Sequence, residues 1–405
     1  MVDANMSNKK VLFLSEACVL DPNSGAAIEM LGWLNILAGN GYQCFSSCLS
    51  IFDGEEEFPI QEDIFPDVAL SENVGNRIRT FLNNVEHNVF YAGSSVGNKI
   101  SREKIDAFVK SAAEDIHRIK PDVVLGYGGP NLVALRRLAK KLGAKTAFNL
   151  HNASYEEEKR SSFGEVDKIF TPSEALKNLY EDRFGFNNTS VVHNRVRRFI
   201  PRSVLKNQYL LERRKKGFVA IINPSILKGG AIFLQIANQT KVASPETVFL
   251  AVESRADQSS IEGSIKGASR LNNIWWVQRQ KNVQQLYERV SVLLVPSIYF
   301  EAAGRVIIEA QMAGIPVLAT NNGGIPETLN GAGSLFPIPE SVQANAYSVP
   351  KGPEIQEWVN EIVKLMDNDK YYVASCKAAL KASGKFDEDN VDREIIDAID
   401  SLCQG

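Results

Sequence analysis

Short apolar segments that alternate with amphipathic helical segments constrain the fold of this chain most strongly. Lys10–Ser15 (KVLFLS) has the character of a buried strand, and the segment after it carries apolar residues at helical spacing. The alternation continues to Thr146–Leu150 and resumes after Asn194 with GFVAIIN, ETVFLAVES, NIWWVQ, SVLLVPS and IPVLAT. Strands that are buried on both faces and joined through helices form parallel sheets. The pattern therefore predicts an α/β protein with two doubly wound, Rossmann-like domains.

Composition narrows the class of protein. The chain has 405 residues, 44% of them hydrophobic, and its net charge of −3 provides no field that would select nucleic acid. The chain has five cysteines without zinc-type spacing, a polar N-terminus and no apolar run of about 18 residues. These features predict a cytoplasmic protein that does not span a membrane.

Two segments are expected to lie outside the regular alternation. Residues 50–101 are polar and show no clear period, so they are predicted to be a loop-rich insertion or a flexible flap. Residues 195–216 are rich in Lys and Arg and are interpreted as a solvated interdomain linker. The alternative for this linker is peripheral contact with an anionic membrane surface.

Two glutamates eight residues apart mark the segment Ser297–Glu327. Glu301 precedes a predicted helix and Glu309 lies inside it, which separates them by about 12 Å along the helix axis. The free N–H groups near Gly304 and Arg305 form a helix N-terminus, which favours anions. This arrangement fits a clamp on a sugar nucleotide, in which Glu301 accepts hydrogen bonds from sugar hydroxyls and Glu309 from a ribose.

The same segment resembles, nearly position by position, the E-x7-E signature of retaining GT-B glycosyltransferases of family 4. The matching residues are Pro296, Ser297, Glu301, Gly304, Glu309, Ala310, Gly314, Pro316, Val317, Gly323, Gly324 and Glu327. The resemblance implies a GT-B fold, in which two Rossmann-like domains face a cleft. Residues 1–199 would form the acceptor domain together with a returning C-terminal helix at 391–405, and residues 200–390 would form the nucleotide-sugar donor domain.

The resemblance also implies which residues of the second domain act. Lys228, in the sequence LKGG, would neutralise the leaving diphosphate. The family's arginine before this lysine is replaced by Ile222 or Asn223, and Arg255 is the candidate that would supply the missing charge. Val277 would frame the nucleobase through its main chain. The donor-binding set is completed by the loop and helix residues Ala303, Gly304, Arg305 and Glu309, with Arg305 either contacting a phosphate or closing a surface ion pair.

Three residues of the first domain are predicted to contact the donor. By resemblance, His151, which follows the strand TAFNL, would contact the transferred sugar, with Asn152 assisting. Gly25 follows the first strand, where a tight loop would approach the donor phosphates. The fingerprint G-x-G-x-x-G of dinucleotide-binding enzymes is absent there, which argues against a NAD(P) enzyme.

The function predicted from these residues is transfer of a hexose, preferably glucose from UDP-glucose, to a hydroxyl of a glycan or glycolipid with retention of configuration. No cofactor or metal ion is expected, and the acidic triplets 367–369 and 387–389 are interpreted as surface charge. Two alternatives remain open at this stage. One is a GT-B-fold sugar-nucleotide epimerase, and the other is a non-catalytic protein that only binds a nucleotide sugar, which the missing arginine before Lys228 favours.

Overall fold

The structure, a computed structural model, describes residues 8–54, 56–156, 160, 161, 163, 165–254, 256–265, 271–278, 280 and 282–404. The chain divides into two compact units. The first unit comprises Met1–Arg195 and Asp389–Gly405, and the second comprises Val196–Glu388. The sequence prediction placed the corresponding boundaries at residues 199/200 and 390/391.

The described residues of the first unit form an eight-stranded sheet. Its strands are β1 (Lys10–Ala17), β2 (Gln43–Ile51), β3 (Asn76–Leu82), β4 (Val85–Tyr91), β5 (Val123–Gly126), β6 (Lys145–Asn149), β7 (Lys168–Thr171) and β8 (Thr189–Val191). They lie in the order β3-β4-β2-β1-β5-β6-β7-β8. All neighbouring pairs are parallel except β3 and β4, which form an antiparallel hairpin.

Helices cover both faces of this sheet. They are α1 (Gly25–Gly39), α2 (Ile60–Asp63), α3 (Arg102–Ile119), α4 (Val133–Lys141) and α5 (Glu174–Phe184). Successive residues of β1 point to opposite faces, so Phe13 packs in one cluster with Trp33 of α1. Leu12 packs in another cluster with Phe108 of α3. The central strand β1 is therefore buried on both sides, as its continuous apolar sequence predicts.

The second unit has a six-stranded sheet of entirely parallel pairs. Its strands are β9 (Phe218–Ile222), β10 (Phe249–Val252), β11 (Ile274–Val277), β12 (Val290–Val295), β13 (Val317–Thr320) and β14 (Ser334–Phe336). They lie in the order β11-β10-β9-β12-β13-β14. This is the 3-2-1-4-5-6 order of the Rossmann fold, whose first strand lies next to the fourth.

Ten helices, counted over the described residues, follow the first unit's β8. Those of the second unit are α6 (Asn207–Lys216), α7 (Gly230–Ala243), α8 (Gln258–Ser264), α9 (Val283–Tyr287), α10 (Arg305–Met312), α11 (Ile325–Leu329), α12 (Glu340–Ala344), α13 (Gly352–Asp367) and α14 (Asp369–Ala382). The last helix, α15 (Glu388–Gln404), belongs to the first unit. Its residues Val391, Ile395 and Ile399 are fully buried in the same cluster as α1.

The predicted α/β class with two doubly wound, Rossmann-like domains is confirmed. Within the described residues, none of the helices combines the length and the apolar character needed to cross a bilayer.

The prediction of a loop-rich insertion or flap at residues 50–101 is wrong, because the segment contains the hairpin β3–β4 and β4 pairs with β2 along six residues. Strand β4 (VEHNVFY) is almost wholly buried although it carries three polar residues. Glu86 accepts a hydrogen bond from Arg118 at 2.6 Å, and His87 Nδ1 lies 2.8 Å from Ser46 Oγ. These polar residues interrupt the apolar sequence of β4, so the sequence pattern does not reveal a buried strand.

The interpretation of residues 195–216 as a solvated linker is also wrong. Helix α6 occupies its second half, and Arg213 and Arg214 are buried. Nearer the start of the segment, Arg198 and Arg202 pair with Asp387 at 3.0 and 2.9 Å. Arg198 and Arg202 therefore bond within the second unit. Their partner Asp387 belongs to the acidic triplet 387–389.

Candidate functional site

The strand order of the second unit creates a natural ligand position. Strands β9 and β12 are neighbours, but the chain leaves β9 toward β10 and leaves β12 toward β13, in opposite directions. In open parallel sheets, ligands bind in the crevice outside the carboxyl ends of two such strands. The loop after β9 carries Lys228 and the loop after β12 carries Glu301. The topology therefore explains why residues far apart in sequence meet here.

Lys228 and Glu301 form an ion pair. Lys228 Nζ lies 2.5 Å from Glu301 Oε1, and the side chains are 31% and 10% exposed. The ammonium group also lies 5.7 Å from the centre of the Tyr299 ring. A cation and a hydrogen-bond acceptor are thus held at one point of the sheet edge, which is what binding of a phosphate beside a sugar hydroxyl requires.

The Lys228 loop is attached to the Glu301 loop through the main chain. The Leu227 carbonyl accepts hydrogen bonds from the N–H groups of Ile298 and Tyr299, both at 3.0 Å. Gly229 has a φ of +84°, and a Cβ at this position would lie 1.9 Å from the Pro296 carbonyl oxygen. Only glycine fits this conformation and this contact, so close packing against Pro296 requires the glycine that follows Lys228.

The Gly-Gly turn after β13 supports the Glu301 loop from the other side. Gly324 N donates to the Glu301 carbonyl at 2.7 Å, and Asn322 Nδ2 donates to the Tyr299 carbonyl at 2.9 Å. Gly323 has a φ of +57°, and its Cβ position lies 2.4 Å from the Glu301 carbonyl oxygen. The turn therefore fixes the backbone of Glu301 by close contact.

Helix α10 begins directly after this loop. Gly304 is its N-cap residue with a φ of +81°, and Arg305 is its first residue. Ala303 is 3% exposed, and its carbonyl accepts a hydrogen bond from the Thr328 hydroxyl. The loop thus brings the first turn of α10 into the same stretch as Glu301.

Glu309 lies one helical turn further along α10. Its Oε2 accepts a hydrogen bond from the Tyr287 hydroxyl at 2.7 Å. Burial raises the pKa of the Glu309 carboxyl, against the opposing effects of the Arg305 cation and the Tyr287 hydrogen bond. Tyr287 is fully buried and stacks on Phe199 at 5.2 Å. The carboxylate is therefore fixed by a rigid aromatic partner.

One further predicted residue of the second unit lies at the end of an edge strand. Val277 ends the edge strand β11, and its carbonyl accepts a hydrogen bond from the Glu253 N–H at 2.9 Å. Arg255, the candidate for the missing charge, lies outside the described residues. Around the acidic triplets and throughout the described chain, no group of three or more His, Cys, Asp or Glu side chains is arranged to hold a metal ion.

In the first unit, a cavity of about 380 Å³ lies at the carboxyl ends of the central strands. His151 and Asn152 line it, and so does Ser24, the N-cap residue that precedes Gly25 at the start of α1. His151 Nε2 lies 3.4 Å from Met30 Sδ, and its ring is perpendicular to that of Tyr127 at 5.8 Å. The other lining residues are Ala17, Asp21, Ala26, Ile51, Phe52, Asp53, Gly54, Gly97, Tyr127, Asn149 and Tyr155.

The structure thus gathers the predicted residues into two groups, one in each unit. Lys228, Glu301 and the loop and first turns of α10 form the group of the second unit, and His151 and Asn152 share the cavity of the first. Sequence reasoning missed Asn149, which ends β6 and lines the same cavity. Its position two residues before His151, at the end of a buried strand, is the signal that pointed to it.

Comparison with known families identifies the second unit. Residues 210–381 match the family described as glycosyl transferases group 1. An uncharacterized glycosyltransferase of Haemophilus influenzae is 25% identical over 155 residues, which are 38% of this chain and 42% of that protein. The D-inositol 3-phosphate glycosyltransferase of Segniliparus rotundus is 33% identical over 147 residues, 34% of this chain and 32% of that protein. The matched segments therefore span less than half of either relative.

Solved structures resemble the chain over nearly its whole length. A glycosyltransferase from Rickettsia africae has a TM-score of 0.67 at 18% identity, covering 98% of this chain and 99% of that one. Anabaena Alr3699/HepE in complex with UDP-glucose has a TM-score of 0.67 at 17% identity, covering 97% and 99%. The sucrose-phosphate synthase of Thermosynechococcus elongatus has a TM-score of 0.70 at 14% identity, also covering 97% and 99%. Residues 210–381 form a glycosyltransferase group 1 domain, and the fold is of the GT-B type.

Proposed function

We propose that this chain is a retaining GT-B glycosyltransferase similar to family 4, which moves a hexosyl group from a nucleotide diphosphate sugar to an acceptor hydroxyl. The observation that carries the proposal is the contact of Lys228 with Glu301 at the β9/β12 switch point of a group 1 domain. By resemblance to the family's Lys-Gly motif, Lys228 would face the leaving diphosphate, and by resemblance to the E-x7-E signature, Glu301 would face the sugar hydroxyls.

Lys228 would stabilise the negative charge that develops on the leaving group. When the bond between the anomeric carbon and the phosphate oxygen breaks, its electron pair stays on the phosphate. The Lys228 ammonium and the N–H groups in the first turn of α10 supply positive charge on a rigid loop. Each preorganised contact of this kind contributes about 2–4 kcal/mol to transition-state stabilisation.

The acceptor would attack from the face that the diphosphate leaves. The new bond joins the acceptor oxygen to the anomeric carbon, through an oxocarbenium-like transition state, and configuration is retained. The departing phosphate oxygen takes the acceptor's proton, so this route needs no separate protein base. Glu301 would orient sugar hydroxyls, Glu309 would bind the ribose, and His151 would contact the transferred sugar. Lys228 and the N-terminus of α10 would stabilise the charge of the diphosphate, as a metal ion does in other enzymes.

Glucose from UDP-glucose is the preferred donor in this proposal. It is supported by the similarity to Anabaena Alr3699/HepE, which binds UDP-glucose. The acceptor would be a hydroxyl of a glycan or glycolipid, in a reaction that builds a polysaccharide or glycolipid.

A donor panel tests the proposal. Thermal stability and sugar release would be measured with UDP, GDP and ADP and with their glucose, galactose, mannose and N-acetylglucosamine conjugates. The expected result is stabilisation by UDP, with slow release of glucose from UDP-glucose. Failure of every nucleotide to stabilise the protein would overturn the proposal.

The same panel separates the two alternatives. A sugar-nucleotide epimerase would convert one conjugate into another without releasing sugar, which NMR of the donor with enzyme detects. A non-catalytic binding protein would be stabilised by a conjugate and would leave it intact, even when glycan and glycolipid acceptors are added.

A further inference from the structure

The outermost strand of the first unit's sheet, β3, is long for an edge strand. Counted over the described residues, the two sheets end in four edge strands. Strands β8 and β14 have three residues each and β11 has four, whereas β3 has seven. An exposed edge presents unpaired N–H and C=O groups to other chains, and short edge strands are one way in which proteins prevent such pairing. Strand β3 is therefore the edge that is most open to pairing.

Strand β3 also lacks the other features that block an edge. Its sequence, NRIRTFL, contains neither proline nor lysine, and its register with β4 has no bulge. Its two arginines are paired within the chain, Arg77 with Asp115 at 3.2 Å and Arg79 with Glu86 at 3.5 Å. Their positive charges are thus partly compensated and do not prevent another strand from approaching.

The turn after β3 determines which main-chain groups face the open edge. Residues 83–84 have φ values of +50° and +62°, as the two central residues of a type I′ turn require. In such a turn the carbonyl of Leu82 bonds to the N–H of Val85, its neighbour in β4. Bonded and non-bonded pairs alternate along an antiparallel ladder, so the main-chain groups of Arg79 and Phe81 point away from β4.

The end of this edge is also apolar. The side chains of Phe81 and Leu82 are 66% and 44% exposed, and as successive residues they lie on opposite faces of the strand. No described residue bonds to the outward main-chain groups of β3. An additional strand at this edge would therefore satisfy those groups and cover apolar surface on both faces of the sheet.

We propose that β3 pairs with β3 of a second copy of this chain, antiparallel and about a two-fold axis. An exposed cation and an exposed aromatic ring lie two residues apart in the strand, at Arg79 and Phe81. In an antiparallel copy the same two residues run in the reverse order, so the cation of each strand meets the ring of the other. Such self-complementarity is what a two-fold interface requires, because each contact occurs twice.

The register of the pair follows from the charges and from the length of the strand. An axis at Arg79 would place the two arginines directly opposite each other, which is destabilising. An axis at Phe81 would pair only residues 80–82. An axis at Thr80 pairs residues 78–82 and avoids the repulsion between like charges, so Thr80 lies at the axis.

This register is consistent with the hydrogen bonding of β3. Arg79 lies across from Phe81 of the second copy, and these are the residues whose main-chain groups point outward. The Arg79 guanidinium is then within reach of the Phe81 ring, an attractive arrangement of cation and aromatic ring. On the opposite face, Ile78 lies across from Leu82 of the second copy. Thr80 faces Thr80 of that copy as a non-hydrogen-bonded pair.

The mass of the full chain in solution tests the proposal. Sedimentation equilibrium would be measured over about 1–100 μM protein, because an interface of this size is expected to be weak. The expected result is a rise from the mass of one chain towards that of two as the concentration increases. The mass of one chain at every concentration, or assembly beyond two copies, would overturn the proposal.

Phe81→Lys tests whether the contact involves β3. The substitution removes the ring and places a second cation opposite Arg79 of the other copy, so the affinity of the dimer should fall at least about tenfold. Because Phe81 is 66% exposed, the melting temperature of the dilute protein should not change. Val242→Lys, at an 85% exposed residue of α7 in the second unit, is the matched control and should dimerise normally. Equal dimerisation of the two variants would overturn the role of β3.

Thr80→Cys tests the register. In a non-hydrogen-bonded antiparallel pair the Cα atoms are about 4.5 Å apart, a distance that a disulfide can span. The substitution would be made together with Cys403→Ser, because Cys403 is partly exposed while the other four cysteines are buried. Oxidised glutathione, which accepts the two electrons, should convert this protein into a covalent dimer that is visible on a non-reducing gel. Val242→Cys in the same background should stay monomeric, and equal rates of cross-linking would overturn the register.

Discussion

Lys228 Nζ contacts Glu301 Oε1 at 2.5 Å, although the two residues are 73 positions apart in the chain. The contact is a product of sheet order, because β9 and β12 lie side by side while their connections run in opposite directions. In the proposed reaction the two residues serve neighbouring parts of one ligand, the diphosphate and the sugar. In that reaction, each would hold the other in place beside the bond that breaks.

Lys228→Ala should lower turnover by about 10²–10³-fold, because it removes one preorganised positive charge from the leaving group. Its effect on nucleotide affinity should be smaller, since charge on the phosphate grows as the bond breaks. Turnover of the donor and calorimetric UDP binding measure the two effects separately. Lys215→Ala, on the exposed side of α6 in the same unit, is the control and should match the wild type. A Lys228→Ala enzyme with wild-type turnover would exclude this lysine as the leaving-group stabiliser.

Much of the fold was predictable because its central strands are buried on both faces and therefore appear as continuous apolar runs. Strands β1, β9 and β12 are of this kind. Strand β4 is equally buried, but Glu86, His87 and Asn88 interrupt its apolar pattern. Burial of those residues depends on partners such as Arg118, on a separate helix, which no local period reveals.

The candidate site was predictable to the extent that it lies in one continuous motif. Glu301, Gly304 and Glu309 follow from the resemblance to the E-x7-E signature, and Lys228 follows from the resemblance of its LKGG sequence to the family's Lys-Gly motif. Asn149 was not predicted, although it stands two residues before His151 at the end of a buried strand, because only three-dimensional packing shows that its side-chain amide has no partner among the described residues.

We expect the ionised Glu309 to lower the free energy of unfolding and to take part in UDP binding. Burial raises the pKa of its carboxyl, so the folded protein holds that proton more tightly than the unfolded chain does. The ionised group therefore lowers the free energy of unfolding at neutral pH, and this cost disappears as the pH falls below about 4. Glu309→Gln should be more stable than the wild type at pH 7 and equal to it near pH 4, by denaturant unfolding at both pH values.

The same substitution should weaken UDP binding, and Glu309→Ala should weaken it further, if Glu309 accepts hydrogen bonds from the ribose. Glu357→Gln, on the exposed face of α13, controls for the change in net charge and should alter neither stability nor binding. Unchanged UDP affinity in both Glu309 variants would refute the ribose role, and lower stability of Glu309→Gln at pH 7 would refute the electrostatic argument.

Gly229→Ala should disrupt the junction of the two site loops. The new methyl group would meet the Pro296 carbonyl at 1.9 Å, at a φ of +84°. We expect a loss of about 2–5 kcal/mol in the free energy of unfolding, together with loss of turnover. Gly331→Ala is the matched control, because Gly331 has a φ of +77° with no atom within 4 Å of its Cβ position. It should cost only about 1–2 kcal/mol and keep its activity, and equal effects of the two substitutions would contradict the close-contact argument.

Arg213→Ala tests whether the basic segment before β9 is part of the core. The two terminal nitrogens of Arg213 donate to the carbonyls of Ala313 and Gly314, both at 2.6 Å, and so hold the end of α10. Removing a buried charged donor from two carbonyls should lower the free energy of unfolding by about 2–4 kcal/mol. Arg197→Ala, from the exposed part of the same segment, should change it by no more than about 0.5 kcal/mol. Because α10 carries Glu309, Arg213→Ala should also weaken UDP binding, and equal stability of the two variants would restore the view of this segment as a solvated linker.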